Sequence, residues 1–201
     1  MKSAMSLRRA DIVEVAKKTF ARNGYASTSM RDIAELNGVL AGSLYSHFRS
    51  KAEIVELAIM PFYEVLIPAQ LEALAGPRPG VDQVESMLRK VIPIAGEHNE
   101  ELTILHYDWS DLLRSDELSA VVERSSLTLE LWHRAICGGI SDGSVGPDVN
   151  AEVGVRFITS TIQGALDRRR FDSRADVTTA MGITGLTDAL TTMIMGGLRA
   201  K

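Results

Sequence analysis

Cysteine is almost missing: Cys137 is the only one in 201 residues, so the chain forms no internal disulfide and offers no thiolate cluster to a metal. That scarcity fits a reducing compartment, and a cytoplasmic protein is expected. Proline is also sparse, at six residues, and no low-complexity run occurs. With 45% apolar and 24% charged residues, this excludes disordered and fibrous classes. No window approaches about 18 consecutive apolar residues, and the opening MKSAMSLRRA leads into a charged amphipathic stretch; neither a membrane span nor a secretion leader is expected. Alternation of apolar and polar residues, the mark of a half-buried strand, is missing as well. Apolar residues instead recur at spacings of three and four, which predicts an all-α chain of about nine helices.

Charge is unevenly spread. Residues 1–51 hold nine of the 22 Lys and Arg but only four of the 26 Asp and Glu, giving +5, whereas residues 52–201 carry −9. This split points to a polyanion partner for the first segment and to repulsion of that polyanion by the second. We therefore divide the chain into a domain at 1–51 and a second at 52–201.

The first helix is expected from about Leu7 to Ala21, with Ile12, Val13, Ala16 and Phe20 on one face and a left-handed stop at Asn23-Gly24. A second opens at Thr28-Ser29, where Ser29 and Asp32 have capping-box spacing, and breaks at Asn37-Gly38. A short third covers about Leu40 to His47. Ser50 is the expected N-cap of a fourth, which Pro61 and Pro68 should kink or end before Leu74. Beyond a linker at 76–80, helices are expected at about 81–97, 100–114, 116–138, 149–170 and 175–197, with a loop at 138–147.

Residues 28–51 thus describe a helix-turn-helix. A helix enters the DNA major groove only when its outward side chains do not hold the backbone away, and Ala41, Gly42 and Ser43 are small. Tyr45 and His47 add polar reach. Lys51, at the start of the next helix, is placed to meet a phosphate, while Val39, Leu44 and Phe48 face inward. Arg8 and Arg9 fit either a groove-contacting arm or a frayed terminus. Lys17, Lys18 and Arg22 read as a solvated face.

The run Thr28-Ser29-Met30-Arg31-Asp32-Ile33-Ala34, followed by Gly38-Val39, Gly42-Ser43-Leu44-Tyr45, His47-Phe48 and Ser50-Lys51, resembles the DNA-binding domain of tetracycline-repressor (TetR) type regulators over about residues 7–57. The resemblance implies an all-helical homodimer whose three N-terminal helices bind palindromic operator DNA and whose C-terminal domain binds a releasing effector. It further implies phosphate contacts at Thr28 and Lys51 and groove contacts at Gly42, Ser43 and Tyr45. With Ser29, Arg31, Ala41 and His47 these form the expected DNA-contacting set. Two positions depart from the family pattern. Leu40 stands where Ser or Thr usually caps the recognition helix, and Asn37 replaces a common Ala; either Asn37 caps instead or the helix start is reorganised.

The second segment shows no phosphate-binding Gly loop, nucleophile elbow or metal-ligand spacing, so no catalytic residue, metal or cofactor is expected. Cys137 reads as a buried small hydrophobe near a helix end. An effector pocket is expected between helices, lined by Phe62, Tyr63, Met87, Ile94, Leu102, Leu105, Trp109, Leu127 and Leu131, with polar groups from His98, His106 and Arg124. The segment from Leu105 to Trp109, with Leu131-Trp132, is weakly similar to family members that sense hydrophobic acids or their CoA thioesters. Phe157, Thr161, Ile162, Ala165, Met181, Thr184, Leu190, Met193 and Ile194 are expected at a dimer interface, and Arg168-Arg169-Arg170 at a solvated helix end. The function read from the sequence is a homodimeric, effector-released repressor; a helical adaptor or a cytoplasmic helical enzyme is the rival.

Overall fold

A computed structural model of the chain describes residues 2–167 and 177–200, and side chains within these except at 2–8 and 177–180. Ten α-helices follow one another: α1 (Lys2–Asn23), α2 (Met30–Leu36), α3 (Ala41–Tyr45), α4 (Lys51–Ala73), α5 (Gly80–Glu97), α6 (Asn99–Tyr107), α7 (Trp109–Leu113), α8 (Ser119–Asp142), α9 (Ala151–Leu166) and α10 (Val177–Leu198). A 3-10 turn at Asp116–Leu118 precedes α8. Among the described residues the sole β-type pairing is an isolated bridge between Val145 and Arg199. The all-α expectation holds, with ten helices among the described residues against the about nine expected. The triple arginine at 168–170 lies outside the described residues, as does the side chain of Arg8.

Two compact units emerge from the contacts: residues 1–63 with 100–124, and 64–99 with 125–201. In the first, Ile12, Ala16 and Phe20 of α1 fall four residues apart on one buried face. The Phe20 ring meets Tyr25 edge-on at 5.5 Å. Met30 and Ile33 of α2, Leu44 of α3, Phe48, and Ile54, Ile59 and Phe62 of α4 are buried in the same unit. In the second unit α5 packs on α9 and α10, and Val84, Met87, Leu88, Trp132, Ile136, Ile158 and Ile194 are buried.

The structure corrects several boundaries. α1 begins earlier than expected, at Lys2, so Arg9 sits within a helix and not on an arm. α4 runs unbroken through Pro61 and Pro68. Both prolines are exposed, so the carbonyls they deprive of a donor lie on the wet side of the helix. Among the described residues, α4 is also long and apolar enough to cross a membrane by length and composition; half of its most apolar window is buried in this structure. The helix expected at 100–114 is split at Asp108, which leaves helical geometry (φ −103°, ψ 8°) and is buried. α8 continues to Asp142, so the loop begins at Gly143. Cys137 falls on an exposed face of this helix, with its Sγ 3.6 Å from His133 Nε2, rather than in the core. α10 contains one non-helical residue, Gly182 (φ 69°, ψ 165°), where two helical pieces meet.

The second unit depends on a close helix approach at Gly80. Its N–H donates to Asp142 Oδ2 at 2.7 Å, and the next N–H, of Val81, donates to Ser144 Oγ at 3.1 Å. The Asp142 carboxyl is held below its ordinary value by the Ser144 hydroxyl first, then by the Gly80 and Ser144 backbone. A Cβ added at Gly80 would stand 2.0 Å from the Gly139 nitrogen, a backbone atom that cannot rotate away. Gly80→Ala is expected to cost about 1–3 kcal/mol, the range for overpacking, and to lower Tm by roughly 2–12 °C in a protein of this size. A thermal melt with Tm unchanged would refute the close approach.

Candidate nucleic-acid interface

Local chemistry builds the helix-turn-helix. Gly24, in the left-handed region (φ 89°), ends α1, its N–H donating to Phe20 O at 2.8 Å. Ser29 then caps α2 reciprocally: its Oγ accepts the Asp32 N–H at 3.2 Å, and its own N–H donates to Asp32 Oδ2 at 2.8 Å. The Ser29 hydroxyl and N–H hold the Asp32 carboxyl below its ordinary pKa of 3.8. α2 closes with Gly38 at φ 63°, the Gly38 N–H donating to Glu35 O and the Val39 N–H to Ala34 O, both at 3.0 Å. This is the Schellman pattern expected of a helix stopped by glycine.

Asn37 belongs to that stop. Its Nδ2 donates to Ile33 O at 2.8 Å, which ties it to the end of α2 and overturns the idea that it caps α3. The N-cap of α3 is Leu40, extended (φ −71°, ψ 143°) and without a side-chain cap bond. α3 is shorter than expected, ending at Tyr45, and His47 sits on the turn beyond it. Leu44 and Phe48 are buried beneath α3, while Val39 is only half-buried. Gly42, Ser43 and Tyr45 are exposed, and Ala41 and His47 half-buried. The outward row of α3 is therefore small residues followed by one long phenol, 58% exposed.

Lys51 has a different setting from the one its sequence position implied. Its Nζ donates to Tyr25 O at 2.6 Å and Thr28 O at 2.8 Å and lies 4.2 Å from the Tyr25 ring centre. Burial pushes the ammonium below the usual lysine value, against the pull of Asp108 and Asp111. Thr28 is likewise engaged inside the fold, buried with its hydroxyl donating to Gly24 O at 2.8 Å. Ser29 and Arg31 are exposed.

Further braces come from residues far along the chain. Lys17 pairs with Glu101 at 3.1 Å and Glu14 at 2.9 Å, so it is not part of a merely solvated face. Burial opposes its charge, but the bonds from Glu14 and Glu101 outweigh it and raise the pKa. Ser50 Oγ accepts the Glu53 N–H at 3.1 Å, as expected of an N-cap, and donates to Glu117 at 2.6 Å. Arg9 lies 4.7 Å over the Phe48 ring and pairs with Glu53. Glu101 and Glu117 give no local signal of these contacts, because their partners stand 84 and 67 positions away.

The residues expected to line an effector pocket divide between the units. In the first, Phe62 and Tyr63 are buried with rings 5.4 Å apart, Leu102, Leu105 and Trp109 are half-buried, and His106 and Arg124 are exposed. In the second, Met87 and Leu131 are buried, Ile94 and Leu127 are half-buried, and half-buried His98 is the C-cap of α5. A shallow groove of about 340 Å³ on α5, lined by Asp82, Glu85, Ser86, Arg89 and Lys90, contains none of them. Of the expected dimer residues, Phe157, Met181, Thr184 and Met193 are exposed and Thr161 and Ala165 half-buried, whereas Ile162, Leu190 and Ile194 are core. Among the described residues no three His, Cys, Asp or Glu side chains converge as a metal site would require.

Comparison with known proteins adds to this geometry. The family model described as bacterial regulatory proteins, tetR family, matches residues 12–58. The HTH-type transcriptional repressor KstR2 of Mycolicibacterium smegmatis is 30% identical over 161 residues, 77% of this chain and 75% of that one. KstR2 of Rhodococcus jostii is 28% identical over 159 residues, covering 79% and 78%. The solved structure of the ketosteroid transcriptional regulator KstR2 of Mycobacterium tuberculosis superposes with a TM-score of 0.81 at 23% identity over 96% of both chains.

The cap of α2 sets a pH signature. Because the folded-state pKa of Asp32 is depressed, its contribution is fully present above the ordinary value of 3.8 and is lost as pH falls through the depressed value. Asp32→Asn should lower Tm at neutral pH, with the gap to the parent closing in acid. A gap that persists at the acid end would show that the carboxylate is not the source.

Proposed function

The chain belongs to the tetR family of bacterial regulatory proteins and is a DNA-binding transcriptional regulator; we propose that it is a homodimeric repressor that leaves a palindromic operator when a small hydrophobic effector binds. The observation that carries the DNA-reading part is α3 itself. Its outward residues are small or hydrogen-bonding, its inward Leu44 is fully buried, and a capped α2 and the Lys51 brace fix it on either side. Tyr45, Ser43 and Gly42 are the proposed groove contacts, with Ala41 and His47 beside them. Ser29 and Arg31 are the proposed exposed contacts at the α2 start. For Thr28 and Lys51, whose polar groups are engaged internally, the proposed role is to position the backbone that meets phosphate.

Phe157, Met181 and Met193 form the proposed dimer face, since large apolar groups left open on one chain are matched by a second copy. The proposed effector is a hydrophobic acid or its CoA thioester, with its apolar part taken up within the second unit beside the buried Met87 and Leu131 side chains. The name of one relative, a ketosteroid regulator, supports an apolar effector class. Relatives are named as regulators rather than enzymes, which favours this reading over a helical enzyme or adaptor. The cytoplasm, where its DNA lies, is the proposed place of action.

Selection from random duplex at physiological salt tests the reading. A palindrome is expected to be enriched, with affinity falling steeply as salt rises. Lys51→Met should weaken binding across sequences, whereas Tyr45→Ala should change the preferred bases. Light scattering at micromolar concentration should give twice the 21.9 kDa of one chain. No enrichment, or a monomeric mass, would overturn the corresponding half of the proposal.

A further inference from the structure

The N-cap of the recognition helix carries the most exposed of the large apolar side chains described here: Leu40 is 83% exposed. A lone exposed leucine is ordinary on a protein surface, but this position is not ordinary. N-caps favour Ser, Thr, Asp and Asn because their side chains accept one of the orphan N–H groups, and Leu40 makes no such bond. Its backbone is nonetheless firmly placed. The Leu40 carbonyl accepts from Ser43 N at 2.9 Å and Leu44 N at 3.2 Å, and Leu44, one turn on, is fully buried. The side chain is therefore held at the leading edge of α3, beside exposed Gly42 and Ser43, and not folded back into the core.

We infer that Leu40 reads the C5-methyl group of a thymine in each operator half-site. The inference rests on the DNA-reading function proposed above. In helix-turn-helix proteins the N-terminal residues of the recognition helix face the base edges. Leucine neither donates nor accepts a hydrogen bond, so it gains nothing from phosphate or from the polar atoms of the groove. The thymine methyl is the apolar feature that the major groove offers. Ala41, Gly42 and Ser43 add little bulk, which lets the helix come close enough for a branched four-carbon side chain to touch the groove floor. The lost cap is thus exchanged for a base-reading contact.

The test uses the full chain and the duplex enriched from a random pool, with each thymine replaced singly by deoxyuridine, which keeps every hydrogen-bonding atom and removes only the methyl. At one symmetry-related position per half-site, uracil should weaken parental binding about fourfold, the transfer value of one buried methyl, and about fifteenfold when both half-sites lose it. Leu40→Ser, which restores a capping side chain and so keeps the fold, should bind the thymine and uracil duplexes equally at that position; Leu40→Ala should behave likewise. Comparing ratios and not absolute affinities separates methyl reading from any gain through the new cap. If uracil costs the parent nothing at any position, or costs Leu40→Ser the same, the inference is overturned while DNA reading stands. Failure to enrich any duplex overturns both.

Discussion

Lys51 places its ammonium where two carbonyls, those of Tyr25 and Thr28, converge after α1 has ended at Gly24 and before Ser29 opens α2. Two carbonyl dipoles and the face of the Tyr25 ring hold a cation that burial alone would discharge more readily. Much of the first unit follows from this contact. It fixes the segment between α1 and α2, and that segment sets where Ser29 begins its cap. α2 in turn, through the glycine stop at Gly38, sets where α3 starts. α3, at five residues, is far too short to form in water by itself, so its shape is a product of the packing of Leu44 and Phe48 and of the elements on either side.

Acidic residues of the first unit's later segment surround that arrangement. Glu101 holds Lys17, Glu117 holds the Ser50 hydroxyl, and the Asp108 carboxylate lies against Gly24, where even a Cβ would be in contact. The basic excess of residues 1–51 is thus partly neutralised within the fold. What remains exposed among the described residues is Lys18 and Arg22 on α1, Arg31 on α2 and Arg49 just before α4. The charge asymmetry of the sequence is therefore a cruder version of a finer division between cations that brace the fold and cations that face outward.

What was legible in the sequence was local. Ser29 with Asp32, the glycines at 24 and 38, and the 3.6-residue period of Ile12, Ala16 and Phe20 act within a few positions, so spacing alone reveals them. Lys51 was legible as important but not in its task, because its acceptors are backbone carbonyls that no residue type marks. The prolines of α4 misled because the penalty depends on which side of the helix the ring faces, and that is decided by packing. Cys137 misled for a related reason: it falls on the outward side of α8 with His133 and Arg134, while Ala135 and Ile136 are buried.

The thin cover of outward residues on α3 bears on how such a protein changes over evolutionary time. Gly42, Ser43 and Tyr45 face away from the core, and the helix is held by Leu44, Phe48 and the turns around it. A substitution on the outward row can therefore alter the message the protein recognises while leaving the scaffold's stability almost untouched. Adaptation to a new genomic address is in this sense nearly free of a folding penalty, and duplicated copies of such a chain can diverge in target one surface residue at a time.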